Sequence, residues 1–246
     1  MFYIPLRSSF GKISNCLISV LIFIFSGTNV NAQNNFSEGV IIFKVDSVIS
    51  DRPKDSIDIT VSKIRLFKKN NLGRSEIIKV EPRNGNTVYT ETEVINEKGK
   101  YFIIDPQLGP LVKKHAVLLT FDDIKEGRAE FAFKGKIREF AFKRSLQKDS
   151  LLKILVEKMY RIEKQTNKTL ELAVARDINT SFGFFFPDYL KLDGTPFQFY
   201  YEENNILYHL SAESITKKAL DNDLFTIGSE YDIFPLETVL SSFKKN

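Results

Sequence analysis

The sequence predicts an α+β domain made mostly of antiparallel strands, and three observations support this. The chain of 246 residues contains 22 Phe and 9 Tyr but no Trp, and aromatic side chains favour strands. Several runs alternate apolar and polar residues with the two-residue period of a half-buried strand, and short turn signals separate them. One long stretch follows the helical period instead, and the sheet is the obvious partner for its apolar face.

The clearest predicted hairpin turns at Asn204-Asn205. Asn tolerates the positive φ that a two-residue turn demands. Phe199 and Tyr201 alternate with polar residues before the turn, and the alternation resumes after it at Ile206. A slip of one residue would set the aromatic residues against polar partners, so the pattern fixes the register. The predicted pairs are Phe197–Ala212, Phe199–Leu210, Tyr201–Tyr208, Tyr200–His209 and Gln198–Ser211.

The other predicted strands are joined by short turns. Asn84-Gly85 is a strong hairpin signal, and a change of parity near Ser62-Lys63 predicts a bulge. A further hairpin is predicted to turn at Gly135, with a bulged long strand as the alternative. These strands are Gly39–Ile49, expected to be buried on both faces, then Ser56–Phe67, Ser75–Val80, Thr87–Ile95, Lys100–Asp105, His115–Asp122 and Thr169–Ala175.

Asp149–Thr166 is predicted to be the one long helix. Asp149 can cap it, and its apolar residues keep the spacing of one helical face while charged residues line another. A short final helix is predicted to begin at Pro235, a residue suited to a first turn. The apolar positions are Leu151, Leu155, Met159 and Ile162 in the long helix, and Leu236, Val239, Leu240 and Phe243 in the short one.

The first 32 residues are predicted to be a secretory signal peptide. Arg7 and Lys12 precede the apolar run Ile13–Phe25, and Val30-Asn31-Ala32 supplies small residues for a cleavage site. A membrane anchor is the competing interpretation, but the run is too short to span a bilayer comfortably. Residues 33–246 are therefore expected to form a single exported domain, with no transmembrane anchor after cleavage.

Composition excludes several classes of site. The only cysteine, Cys16, lies in the leader, so the mature chain is expected to contain no disulfide, thiolate metal site or Cys nucleophile. Without Arg7 and Lys12 the basic residues fall from 35 to 33 against 31 acidic ones, and the net charge falls from +4 to +2. That balance provides no electrostatic footprint for nucleic acid.

The residues that carry chemistry form no catalytic or metal-binding signature. A catalytic His needs a nucleophile or carboxylate within hydrogen-bond reach, and neither His115 nor His209 stands in a recognised hydrolase or zinc pattern. The acidic clusters Asp122-Asp123 and Asp221-Asn222-Asp223 lack the alternating ligands of a calcium loop. We therefore expect a non-enzymatic protein with no metal and no cofactor.

A basic run between residues 134 and 148 is interleaved with Phe residues. A strand with aromatic side chains inward and cations in solvent produces this string. A surface for an anionic lipid headgroup or a glycan would produce it too, and the solvated strand is the simpler interpretation. The cations are Lys134, Lys136, Arg138, Lys143, Arg144 and Lys148.

Short phrases along the mature chain resemble exported Gram-negative proteins whose fold is similar to that of the outer-membrane lipoprotein carriers. The phrases are Gly39–Phe43, Tyr101–Pro106, Asp193–Pro196 and Leu224–Tyr231, in which Gly228 replaces the Pro usual in those families. The resemblance implies a strongly curved antiparallel half-barrel whose concave face is covered by the long helix and the short C-terminal helix. It also implies a place in the periplasm or at the cell surface.

The aromatic surplus supplies the candidate binding residues. Five aromatic residues crowd around Pro187, too many for a simple two-faced strand. They predict either an apolar lip over a ligand cavity or a covered core segment. Together with the aromatic residues of the hairpin, the predicted ligand-binding residues are Phe182, Phe184, Phe185, Phe186, Tyr189, Phe199, Tyr201 and Tyr208.

Two functions rank above a third option, a hydrolase with unrecognised residues. The first is a binding protein of the cell envelope that holds a lipid or another apolar ligand inside the half-barrel. The second is a structural or interaction module that docks another envelope protein through the aromatic loop or a sheet edge.

Overall fold

One mixed sheet of twelve strands organises the fold in the computed structural model, which describes residues 36–51, 53, 57–104, 114–126, 128 and 139–243. The strands are β1 Glu38–Ser50, β2 Thr60–Lys69, β3 Leu72–Val80, β4 Thr87–Asn96, β5 Gly99–Ile104, β6 Lys114–Leu119, β7 Phe140–Leu151, β8 Ile154–Glu163, β9 Thr169–Ala175, β10 Thr195–Glu203, β11 Ile206–Lys217 and β12 Tyr231–Pro235. Their order in the sheet is β12-β6-β5-β4-β3-β2-β1-β11-β10-β9-β8-β7. Only the β12–β6 pair is parallel among these strands, so the described sheet is almost entirely antiparallel.

The hairpin predicted at Asn204-Asn205 is confirmed. Asn204 and Asn205 have φ values of 50° and 62°, which is the left-handed conformation that a two-residue hairpin turn requires. The strands β10 and β11 that flank it pair in the predicted register. The confirmed pairs are Gln198–Ser211, Phe199–Leu210, Tyr200–His209 and Tyr201–Tyr208.

Two other local predictions are confirmed in the first half of the chain. The register of β2 against β3 shifts between Val61 and Lys63, which is the predicted bulge. The Asn84-Gly85 signal lies in the connection between the antiparallel strands β3 and β4, and Gly85 has a φ of 70°. Local turn chemistry therefore specifies these strand connections.

The predicted long helix at Asp149–Thr166 is wrong. These residues form the end of β7, a turn at Leu152-Lys153, strand β8 and the following turn. β8 pairs with β7 on one side and with β9 on the other, so its backbone groups are satisfied by neighbouring strands rather than by helical hydrogen bonds. Leu155, expected on the buried helical face, is 56 % exposed. Leu151 lies at the end of β7 and Leu155 lies in β8, so the four-residue spacing between them spans a hairpin turn and not a turn of helix.

The predicted fold class is wrong as well, because the described residues form one large mixed sheet of twelve strands with short helices, and none of the described helices is a long helix over a half-barrel. The described helices are short: α1 Phe121–Lys125, α2 Phe182–Phe185 and α3 Leu236–Phe243. Instead, parts of the sheet that are not neighbours meet across the interior. Lys79 of β3 contacts Glu203 at the end of β10, so the two halves of the sheet close the core themselves.

The first half of β1 is buried on both faces, as its continuous apolar sequence predicts. Ile41 and Phe43 enter an inner core, while Val40 and Ile42 enter an outer core on the opposite face. From Lys44 onward the strand is mostly exposed, so the prediction holds only for this first half.

A C-terminal covering segment, residues 218–231, closes the outer core. Leu220 and Phe225 of this segment are buried against β1, β4, β5 and β6. The predicted final helix is confirmed as α3, which begins directly after Pro235 and buries Leu236. Among the described residues no helix is long and apolar enough to cross a bilayer. The predicted leader and the hairpin predicted at Gly135 lie outside the described residues.

Candidate functional site

The predicted aromatic residues come together in the inner core. We call Phe182–Tyr189 the aromatic segment; it consists of α2 and a 3₁₀ turn at Pro187–Tyr189. Phe182 packs edge-on against Phe199, with ring centres 4.9 Å apart, and Phe186 packs against Tyr201 at 5.8 Å. Edge-to-face and tilted pairs of this kind stabilise aromatic clusters beyond simple burial.

Most of these side chains are covered. The buried ones are Phe182, Phe185, Phe186, Tyr189, Phe199 and Tyr208, while Phe184 and Tyr201 are partly buried. A cavity lined by Phe140, Arg161, Glu163, Lys168, Leu170 and Glu202 has a volume of about 10 Å³, which is at most the room for one water molecule. Most of the side chains named for ligand binding are therefore packed against one another, and their role in binding stays a prediction.

The Tyr189 hydroxyl ties the aromatic segment to the sheet. It donates to the backbone oxygen of Tyr200 at 2.6 Å and accepts from the Tyr200 backbone N–H at 2.9 Å. Pairing of β10 with β9 ends at Gln198–Ala173, so the phenol satisfies the next backbone groups of β10. Burial raises the pKa of Tyr189 to about 12.

Two ion pairs hold the ends of the same segment. The Lys100 ammonium donates to the backbone oxygen of Phe184 at 3.0 Å and lies 2.8 Å from Glu93. At the other end, Arg161 pairs with Asp188 at 3.1 Å, and its guanidinium lies 4.9 Å from the centre of the Tyr189 ring. Because Lys100 and Arg161 are buried, breaking either pair would leave an uncompensated charge in the core.

A buried charge cluster lies at the closing point of the sheet. Lys79 is only 3 % exposed and pairs with Glu91 at 2.5 Å and with Glu203. Burial opposes the charge of Lys79, but hydrogen bonds to Glu203 and Glu91 outweigh it and raise its pKa. Burial also raises the pKa of Glu91, which fits a single cation shared by two carboxylates. The role of this cluster is structural, because the Lys79 ammonium and the two carboxylates are already engaged in ion pairs with one another.

A concave site that the sequence did not indicate lies on the outer face of the sheet; we call it the outer groove. It has a volume of about 530 Å³. Alternate residues of β3, β4 and β5 form its floor, and the covering segment with the start of β12 forms its wall. The floor residues are Arg74, Glu76, Thr90, Thr92 and Ile103, and the wall residues are Asp223, Thr226, Gly228, Glu230 and Tyr231.

Some charged side chains of the outer groove are paired with each other, and two carboxylates are not paired with any described residue. Arg74 is engaged with Glu76 at 2.9 Å and with the backbone oxygen of Leu224 at 3.3 Å, which joins floor to wall. The carboxylates of Asp223 and Glu230 have no ion pair with any residue that the structure describes, and both residues are exposed. The groove therefore offers acceptors and uncompensated negative charge.

Local spacing could not have revealed the outer groove. Thr90 and Thr92 look like ordinary outward residues of β4, and Asp221-Asn222-Asp223 looks like a turn. They become one site only because residues 218–231 fold back across β3 to β5, which is a long-range event. Within the described ranges, no group of three His, Cys, Asp or Glu residues is placed to hold a metal.

Comparison with protein-family models and with curated proteins gives no match. Among solved structures, the chain is similar to PNGF-II in space group P21 (TM-score 0.36, 11 % identity) and in space group C2 (TM-score 0.39, 12 % identity). Each likeness covers 85 % of this chain but 33 % of the other, so the chain spans about a third of the length of the structures it matches. At these TM-scores neither likeness carries an argument about fold or function, and neither points to the lipoprotein carriers.

Proposed function

We propose that the chain is an exported, non-catalytic binding protein of the cell envelope that takes a polar, amine-bearing ligand into the outer groove. The observation that carries the proposal is the groove itself, a concave site of about 530 Å³ on which polar groups from β3, β4 and the covering segment converge. Ligand sites of small molecules occupy roughly 300–1,000 Å³ and use a few convergent polar groups.

The ligand class follows from the donors and acceptors of the lining. Asp223 and Glu230 supply carboxylate acceptors, and Thr90, Thr92 and Thr226 supply hydroxyls. An ammonium group has three N–H donors and no acceptor, so it complements such a surface. Because the two carboxylates are exposed, we expect weak binding that weakens further with added salt.

An apolar ligand fits this groove less well. Ile103 is the one aliphatic side chain in its lining, and the remaining side chains are polar, charged or phenolic. Lipid binding by the aromatic segment stays an untested prediction, but the side chains named for it are mostly packed against one another. Neither His nor Cys lines the groove, which supports binding rather than acyl transfer.

Calorimetric titration with tri-lysine tests the proposal. Its fully acetylated form is the matched neutral ligand, and D223N/E230Q is the matched protein variant. We expect tri-lysine to bind the wild-type chain and the double variant to bind about tenfold more weakly, since each exposed pair contributes up to about 1 kcal/mol.

A second double variant, D51N/E97Q, removes the same two charges at exposed residues outside the groove and should keep wild-type affinity. Equal binding of tri-lysine and its acetylated form would overturn the proposal. Equal losses in the two double variants would overturn it as well, because the effect would then come from net charge alone.

A further inference from the structure

The β7–β8 hairpin exposes apolar side chains at its turn and along its edge. Leu146 is fully exposed at 102 %, Leu155 at 56 % and Leu152 at 40 %. The other large exposed apolar residues of the described chain are one adjacent pair on β1, Val48 and Ile49, and three single residues, Ile59, Ile104 and Ile233. Three leucines on one hairpin therefore need an explanation that scattered exposed residues do not.

The turn of this hairpin is unfavourable for the residues it contains. Leu152 and Lys153 have φ values of 53° and 63°. A side chain with a Cβ is strained there, and Asn or Gly relieves the strain. The other described non-glycine residues with positive φ are Asn70, Asn167, Ser181, Asn204 and Asn205. Folding alone would favour Asn or Gly at position 152, so an exposed Leu there indicates a role outside folding.

Cations surround the exposed leucines. Lys143, Lys148 and Lys153 are exposed, and neither Lys143 nor Lys153 has an ion pair with a described residue. Arg144 pairs with Glu157 at 2.7 Å. The register of β7 against β8 shifts between Arg144 and Lys148, which leaves Leu146 in a bulge between basic residues. The hairpin also carries the exposed Asp149, so it combines an apolar tip and edge with a border in which basic residues outnumber acidic ones.

The hairpin also extends beyond the neighbouring strand. Pairing of β8 with β9 begins at Glu157–Val174, so residues 149–156 around the turn lie beyond the paired part of β9, although Leu151, Ile154 and Val156 pack against the inner core. Lysines and a bulge on an edge strand disfavour addition of another strand. The hairpin is therefore less suited to pairing with an extended partner chain than to binding a surface that accepts leucines and cations together.

We propose that the β7–β8 hairpin docks on an anionic lipid surface. The leucines would enter the boundary between headgroups and acyl chains, and the lysines would face the lipid phosphates, since apolar residues with basic neighbours bind such interfaces. This inference is independent of the outer groove, because none of the hairpin residues lines it.

The absence of Trp from the chain allows a site-specific test. L146W introduces a single Trp at the bulge, and I233W introduces one on β12 at the opposite edge of the sheet, where Ile233 is 47 % exposed. Each full-length variant is titrated with vesicles of phosphatidylcholine, alone or mixed with an equal amount of phosphatidylglycerol. We expect a blue shift of the Trp emission only for L146W with the acidic vesicles.

Charge variants in the L146W background sharpen the test. K143Q/K153Q should weaken acidic-vesicle binding on the order of tenfold, because each lysine near such a surface contributes roughly fivefold. K98Q/K218Q makes the same charge change at exposed lysines elsewhere and should have a smaller effect. L152N removes a leucine while relieving the turn, so any loss of binding cannot come from misfolding.

Three results would overturn the proposal: no blue shift of L146W with acidic vesicles, the same shift for I233W, or equal effects of the two lysine pairs. In the first case the exposed leucines would have to belong to a protein-docking edge instead.

Discussion

Two hairpins of this molecule have the same kind of turn but opposite surroundings. The β10–β11 hairpin turns at Asn204-Asn205, residues that accept positive φ, and Phe199 and Tyr208 on its two strands are 0 % and 1 % exposed. The β7–β8 hairpin turns at Leu152-Lys153, which are strained at positive φ, and Leu155 beside that turn is mostly in solvent.

The turn and the cross-strand pairs of the β10–β11 hairpin stabilise the fold, whereas the β7–β8 hairpin depends on contacts outside its turn. In β10–β11, the turn residues and the buried cross-strand pairs favour the same structure, so local and long-range forces agree. In β7–β8, the positive φ of the turn residues destabilises the hairpin. The burial of Val156 and Met159 and the pairing of β8 with β9 compensate for this and hold β8 in the sheet. Substitutions at matched positions of the two hairpins should therefore change the free energy of unfolding by different amounts.

The largest effect is expected from emptying the aromatic core at β10. Phe199→Ala should lower the free energy of unfolding by about 4 kcal/mol, since it removes a ring that packs on Phe43, Phe182 and Tyr189. Leu155→Ala on the other hairpin should change it by less than about 0.5 kcal/mol. Urea unfolding measures both, and comparable losses would contradict the contrast.

The next largest effect is expected at the buried charge cluster. Lys79→Met leaves Glu91 and Glu203 uncompensated and should cost about 3 kcal/mol at neutral pH, whereas the exposed Lys153→Met should cost almost nothing.

The loss in Lys79→Met should shrink on acidification. Burial already raises the pKa of Glu91 in the intact cluster. Lys79 opposes that rise through its hydrogen bond and its charge, so the folded variant binds the proton of Glu91 more tightly still. The variant therefore loses more stability than the wild type as pH rises through the folded pKa. Urea midpoints measured from acidic to neutral pH check this, and a loss that grows on acidification would contradict it.

A smaller effect is expected at the hydroxyl that ties the aromatic segment to β10. Tyr189→Phe should cost about 2 kcal/mol at neutral pH, because the partly buried N–H and C=O of Tyr200 each lose their partner.

The same variant should respond differently to alkali. The Tyr189 pKa is raised from 10.0 to about 12, so the unfolded state loses this proton first and stability falls between these pH values. Tyr189→Phe should flatten part of that fall. A slope unchanged from that of the wild type would contradict burial of the hydroxyl.

The smallest effect is expected at the two turns, and its sign should differ between them. L152N/K153G relieves two strained positions and should raise the free energy of unfolding by about 1 kcal/mol, while Asn204→Leu should lower it by about 1 kcal/mol. Thermal unfolding of both variants measures the signs. Destabilisation by both would show that the Leu152 turn is not strained.

The sequence predicts correctly those features that, like the β10–β11 hairpin, are determined by local residues. Asn204-Asn205 and the alternation around it predict the hairpin and its register, because turn preference and two-residue period agree there. The bulge near Ser62 and the start of the final helix at Pro235 are equally local signals. Each depends on residues within one or two turns of chain.

The errors arise where distant residues decide the structure. Leu151, Leu155 and Met159 keep helical spacing, and Leu152-Lys153 is not a turn signal, so nothing local indicates a hairpin in place of a helix. β8 becomes a strand because β7 and β9 lie on both sides of it. The outer groove is of the same kind, since its wall at Asp223 lies far along the chain from its floor at Thr90.

The central claim is that the interior is filled by its own aromatic side chains and that ligand binding takes place on the outer face. Titration of the isotopically labelled chain with tri-lysine, followed by NMR, tests it most directly. Binding in the outer groove should shift the backbone amides of Thr90, Thr92 and Thr226 and leave those of Phe186 and Phe199 unchanged. Shifts confined to the aromatic segment, or no shift at the groove, would contradict it.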